Sequence, residues 1–192
     1  MTNLLDAYLL FRIRVQHDPD AYAELYDRYI KSIYRFVLLK VPTKEQAEDI
    51  TSETFLRAWQ FLQQSQEPIK NIRALLYRMA RNLIADLYRK DQSRQVTLGA
   101  VTFLDDETST TSTTELSDET RGRALIEARA DIALILDKIA RLKTDYQDVL
   151  TLRLIDGLGY TDIGAVLEKP PGHVRVIYHR AMKALLALLD QR

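Results

Sequence analysis

Apolar side chains recur every three or four positions along most of this chain, and one 32-residue stretch, 91–122, breaks the rhythm. Such a period admits amphipathic helices and excludes a sheet, whose strands would alternate every second residue. Tyr22, Leu25, Tyr26, Tyr29, Ile33, Phe36 and Val37 make one stripe; Ala47, Ile50, Thr54, Ala58 and Leu62 a second; Ile72, Leu75, Leu76, Met79, Leu83 and Leu87 a third. Start signals sit where these stripes begin. Asp18 is placed to cap and Pro19 to occupy a first helical position, and Thr43 with Gln46 fits a capping box. With a shorter helix near Leu4 to Val15, the first part reads as an all-α bundle of about four helices.

The aperiodic stretch holds 12 Ser/Thr, with 2 Lys/Arg against 7 Asp/Glu, the composition of an acidic, flexible linker. It divides the chain into a helical domain at 1–90, the linker at 91–122 and a second helical domain at 123–192. The formal net charge of zero conceals this division: residues 1–90 carry 14 Lys/Arg against 11 Asp/Glu, and 123–192 carry 11 against 9. Two mildly basic parts flank an acidic one. No cysteine is present, which excludes a disulfide framework and any thiolate metal site. The N-terminal apolar run is broken by Arg12 and Arg14 too early for a membrane span, and no basic region precedes it. A cytoplasmic protein with no membrane insertion is expected.

After the linker, RALIEARADIALILDKIARL reads as one amphipathic helix. Thr144 with Gln147 offers a second capping box, Asp156-Gly157 a stop, and Thr161 a cap for the short helix TDIGAVL. Then Pro170 and Pro171 interrupt the pattern. Each disfavours helix in the residue before it, and Pro171 is preorganised as a first helical residue, so covalent sterics fix a tight turn between two helices. Two helices joined this way form a helix-turn-helix, whose second helix enters the DNA major groove. In that second helix Val174, Ile177, Tyr178, Ala181, Leu185 and Leu188 face the core. Pro171 and Gly172 start it, and Gly172, Val176, His179 and Lys183 lie opposite the core face, flanked by His173, Arg175 and Arg180. Arginine grips guanine or phosphate, Val176 suits a thymine methyl, and Gly172 permits close approach to the backbone.

Two surfaces stand out in the first domain. Arg78, Arg81, Asn82 and Arg89 cluster on the side of their helix away from its apolar stripe, an arrangement suited to phosphates and an unpaired base. The preceding loop, QQSQEPIK, with Gln66 and Lys70, is polar enough to form a pocket wall. On the helix before it, Asp49, Ser52, Glu53, Leu56 and Gln60 share the outward face, an acidic strip with one leucine that suits a basic protein partner. Catalysis is not expected. Only three histidines occur, His173 and His179 stand apart around their helix, and no phosphate loop, nucleophile elbow or paired carboxylates are present, so no metal or cofactor is expected either.

The stretches AEDITSETFLRAWQ and IRALLYRMARNLIADLYRK resemble region 2, and DYQDVLTLRLIDGLGYTDIGAVLEKPPGHVRVIYHRAMKALLALL resembles region 4, of the extracytoplasmic-function (ECF) sigma factors, the smallest members of the sigma-70 family. The resemblance covers nearly the whole chain. It implies partners: the clamp helices and flap of core RNA polymerase, promoter DNA and an anti-sigma protein. It also implies roles. Asp49, Glu53 and Leu56 fall in the polymerase-binding stretch, 63–70 matches a loop that captures a flipped minus-10 base, Asn82 matches a pocket residue, and region 4 reads the minus-35 duplex. The linker is implied to thread through the polymerase towards the RNA exit path. The chain departs from the family at Glu168, Lys169 and Pro170, where a glycine, an apolar and a small polar residue are usual. It departs again at Ile177 and Met182, which are often basic, so weaker or redistributed minus-35 contacts are expected. Two other readings stay open here: a helix-turn-helix regulator with a sensing or dimerising first domain, and a polymerase-bound adaptor without sigma activity.

Overall fold

The computed structural model describes residues 4–65, 69–91 and 134–190. Gln66 and residues 92–122 of the expected linker lie outside them. Every regular element among the described residues is helical: α1 (Leu4–Val15), α2 (Pro19–Leu38), α3 (Lys44–Gln64), α4 (Ile72–Asp91), α5 (helical over 134–140), α6 (Thr144–Leu150), α7 (Tyr160–Leu167) and α8 (Pro171–Leu189).

The first four helices form the expected bundle. At the start of α2, Asp18 Oδ1 accepts from the amides of Asp20 (2.9 Å) and Ala21 (3.3 Å), Pro19 follows as the first helical residue, and the other carboxylate oxygen receives Arg12 Nε at 2.9 Å. The Arg12 guanidinium thereby holds the Asp18 carboxyl below its usual range. Thr43 Oγ1 caps α3 by accepting from Gln46 N at 3.2 Å, while Gln46 Oε1 has no partner among the described residues, so only half of the box forms. Asn71 caps α4 by accepting from Ala74 N at 2.9 Å. The three apolar stripes then meet. Leu25, Ile33, Phe36, Val37, Ala47, Ala58, Leu62, Ile72 and Leu76 are all buried, with Tyr77 edge-on to Phe36 at 5.2 Å. Tyr26 is the exception, lying at the surface.

In the second half, α6 runs on through a π turn over Thr151–Ile155, where Asp156 N donates to Thr151 O at 3.1 Å. Gly157 follows with φ +67°, ending the helix as expected. Two expected caps do not form. Lys143 precedes α6 without a side-chain bond, because Gln147 Nε2 reaches back to the carbonyls of Ala140 and Leu142 (2.8 Å each), and α7 starts at Tyr160 with Gly159 before it, leaving Thr161 inside. Val174, Ile177, Ala181 and Leu185 of α8 are buried as its period requires, whereas Leu188 is half-buried.

The halves are not separate. α7 packs on α4, and Val149, Leu152, Leu158, Ile163, Val166 and Leu167 belong to one apolar cluster with the core of the first bundle. A smaller cluster of Ile139, Leu150, Ala181 and Leu185 closes the far side, with Met182 packed against it.

Candidate nucleic-acid and partner interfaces

The turn before α8 is built from backbone constraints. α7 ends at Glu168 in the left-handed region (φ 55°, ψ 40°), a conformation glycine adopts at no cost and glutamate at a penalty of about 1 kcal/mol or more. Lys169 N then donates to Gly164 O at 3.0 Å, and a Cβ on Gly164 would stand 2.6 Å from the Lys169 carbonyl oxygen. Only glycine fits where the turn crosses α7. Pro170 (φ −57°, ψ 142°) precedes α8 and Pro171 begins it. Pro171, Gly172, His173, Arg175, Val176, His179, Arg180 and Lys183 are all exposed, as expected for a recognition face. Ile177 and Met182 lie in the apolar packing, so their lack of charge removes nothing from that face.

One feature of this face was not legible in the sequence. The guanidinium of Arg175 lies 5.4 Å from the centre of the Tyr160 ring, and that of Arg153 lies 4.8 Å from the same centre. Arg153 also donates to the Leu158 carbonyl at 2.8 Å. Cation–π contact steadies Arg175 on α8 and Arg153 beside it. Arg153 sits in the π turn, where helical spacing gives no guide to facing.

The α4 strip is divided. Asn82 and Arg89 are exposed, Arg89 pairing with Asp86 of its own helix, and Lys70 is exposed before α4. Arg78 and Arg81 are instead engaged by the second half. Arg81 Nε donates to Asp148 Oδ2 at 2.9 Å and its Nη2 lies 3.8 Å from Asp145; Arg78 Nη1 lies 3.4 Å from Glu168. The other Asp148 oxygen is 2.6 Å from Lys40 Nζ, with the two side chains 1% and 5% exposed. Arg35 pairs with the buried Asp156 carboxylate, Arg73 donates to the Asp156 carbonyl, and Asn71 Nδ2 donates to Asp162 Oδ1 at 2.8 Å. Tyr77 lies beneath them, and burial together with the Asp156 charge pushes its phenol well above its ordinary range. The strip was expected to point into solvent; half of it faces carboxylates because α7 packs on α4.

On α3, Asp49, Ser52, Leu56 and Gln60 are exposed, and Glu53 Oε1 receives Arg57 Nε at 2.7 Å. Leu56, 51% exposed, is not isolated. With Ser52 it rims an open groove of about 410 Å³ lined by Pro19, Tyr22, Tyr26, Phe55 and Trp59. Tyr22 packs tilted against Trp59 at 4.8 Å and Tyr26 edge-on to Phe55 at 4.7 Å, and the Tyr22 hydroxyl donates to the Phe55 carbonyl. An aromatic wall beside acidic side chains fits a partner with an apolar anchor and basic neighbours. The groove draws residues from both α2 and α3, so only their packing reveals it.

Among the described residues no cluster of His, Asp or Glu is arranged to hold a metal, and no helix is long and apolar enough to cross a membrane.

Comparison with known proteins bears on both halves. The sequence profile of sigma-70 region 2 matches residues 25–94 and that of sigma-70 region 4 matches 132–185. The ECF RNA polymerase sigma factor BldN of Streptomyces coelicolor is 34% identical over 173 residues, covering 90% of this chain; the chain spans 61% of that relative's length. The ECF sigma factor SigW of Bacillus subtilis is 30% identical over 173 residues, with 88% of each chain covered. The fold is that of CnrH, solved in complex with the cytosolic domain of CnrY, with a TM-score of 0.67 at 22% identity and 97% of each chain covered. Since both region profiles match in order and the SigW likeness runs through nearly the full length of both proteins, the chain belongs to the ECF sigma factors of RNA polymerase, within the sigma-70 family.

Proposed function

We propose that this sigma factor docks on core RNA polymerase through the outer face of α3, reads the minus-35 duplex with α8, and holds the opened minus-10 strand on α4. The docking residues are Asp49, Ser52, Glu53, Leu56 and Gln60, with the aromatic groove receiving an apolar side chain of the clamp helices. On α8, Arg175, Arg180 and Lys183 take phosphates or guanine edges, Val176 a thymine methyl, Pro171, Gly172 and His173 let the helix start approach the backbone, and His179 extends the same face. Lys70, Arg78, Arg81 and Arg89 supply charge for the single strand, with Gln66 in the adjoining loop, and Asn82 hydrogen-bonds a base. The working division is 1–90, 91–122 and 123–192. The chain itself carries out no catalysis, and it acts in the cytoplasm with the polymerase. Because CnrH was solved with CnrY on it, an anti-sigma partner is proposed here as well.

The observation that carries this reading is the order of the two matched regions on one chain, which a plain helix-turn-helix regulator does not require. Run-off transcription with purified core polymerase tests it: a defined start is expected, lost in Leu56→Asp by failure to bind polymerase and in Asn82→Ala by failure to open the promoter. An absence of any defined start with the unaltered chain overturns it. Duplex binding should also lose affinity with salt at about 0.9 logarithmic units per phosphate contact, giving a shallow slope below about six for so few cations.

A further inference from the structure

α1 is apolar on both of its sides. Leu9, Leu10 and Ile13 are buried where the helix packs on α2 and α3, yet Leu4, Tyr8, Phe11 and Val15, on the opposite side, are between 52% and 88% exposed. Turning at 100° per residue, those four fall within about 60° of one another and make one continuous stripe along the helix. A helix that is apolar all round is ordinarily buried all round. The four side chains expose about 500 Å², the size of patch that marks an interaction site on a soluble protein. None of them belongs to the outer face of α3, to the groove beside it, or to the faces of α4 and α8 described above.

We infer that α1 is a self-association surface, pairing antiparallel with α1 of a second copy of this chain about a two-fold axis. The spacing of the stripe identifies the partner. Its steps are four, three and four residues, which read the same in both directions, and its order is aliphatic, aromatic, aromatic, aliphatic. Laid antiparallel about the midpoint between Leu9 and Leu10, Leu4 meets Val15 of the second copy and Tyr8 meets its Phe11. A two-fold contact requires a surface that matches itself when turned through 180°, whereas an unrelated partner imposes no such symmetry. Charge does not oppose the contact. Arg12 is held by Asp18 and lies 5.6 Å from the centre of the Tyr8 ring, and Arg14 Nη2 donates to the Ser65 carbonyl at 2.7 Å, so the arginines that flank the stripe bring no unpaired charge into it. Antiparallel helix dipoles also attract. Covering both stripes removes about 1,000 Å² from water in all, the lower edge of a specific interface, so the dimer is weak and reversible, with a Kd on the order of 10–100 μM.

Sedimentation equilibrium of the full chain tests this. The average mass should rise from the 22.2 kDa of one chain towards twice that value as concentration climbs from about 1 to 500 μM. Tyr8→Lys and Phe11→Lys, both at surface positions, should each stay at the mass of one chain throughout, with an unchanged thermal midpoint. A single-chain mass for the unaltered protein at every concentration overturns the inference, and so does a dimer that either lysine leaves intact. Cross-linking reads the direction of the pair, because the chain has no cysteine of its own. An equal mixture of Leu4→Cys and Val15→Cys chains should form disulfide-linked dimers about tenfold faster than either chain alone, since equivalent positions lie about 16 Å apart along an antiparallel pair, beyond the reach of a disulfide. Faster linkage in either chain alone means a parallel pair and overturns the inference.

Discussion

Asp6 and Asp148 are both buried carboxylates, but they lie in different halves and are satisfied in different ways. Asp6, on α1, accepts from the Tyr29 hydroxyl at 2.7 Å and lies 3.3 Å from Arg28, so its partners belong to its own bundle. Asp148 is neutralised by Lys40 and Arg81, both from the other half, and Asp156 likewise depends on Arg35. The first bundle answers its buried acid internally, with helices of 20 and 21 residues, although its buried Lys40 turns to the other half. The second contains helices of 7 and 8 residues and leaves two buried acids to be answered from outside. A buried charge costs several kcal/mol unless paired. The second half therefore carries an electrostatic reason to hold the first.

Four measurements test that contrast. The largest effect is expected for Asp148→Ala, which leaves the Lys40 ammonium buried and unpaired at a cost of up to about 3–5 kcal/mol to the closed arrangement. Amide exchange in α4 and α7 should accelerate together while α1 and α2 stay protected; unchanged protection at α7 would show that apolar packing alone joins the halves. Asp6→Ala should cost about 1–3 kcal/mol by orphaning the Tyr29 hydroxyl, and it should lower the denaturant midpoint of the first bundle without altering exchange at α7. If it loosens α7 too, the halves form one cooperative unit and the contrast fails. Thr43→Ala removes the α3 cap at a cost of about 1 kcal/mol, again confined to the first bundle and read from the thermal midpoint. The last effect is invisible at neutral pH. Burial, reinforced by the Asp6 contact, pushes the Tyr29 phenol from its ordinary 10.0 up to about 12. The neutral phenol is favoured by folding, so its contribution is complete below pH 10 and disappears as pH rises towards 12. Tyr29→Phe should flatten that alkaline loss; an unaltered profile would mean that other groups set it.

Much of this was legible in the order of residues. Apolar period gave the long helices, Asp18-Pro19 and Thr43 marked two starts, and Pro170-Pro171 marked the turn, because each signal acts within a few residues of itself. The exposed face of α8 was readable for the same reason: one helix carries its buried and its exposed sides. The caps expected at Thr144 and Thr161 failed because Gln147 found carbonyls behind it and α7 began two residues early. The Tyr160 platform under Arg153 and Arg175, and the groove beside Leu56, needed residues from separate elements.

Helix sterics and capping are local, so the order of residues was enough to specify an all-helical chain in two parts with a basic, proline-delimited final helix. The partners of the acids in the second half came from packing alone. Asp148 and Arg81 are 67 residues apart and Asp156 and Arg35 are 121 apart. No period links them, and a charge acquires its meaning only from the charge that packing brings within a few ångströms.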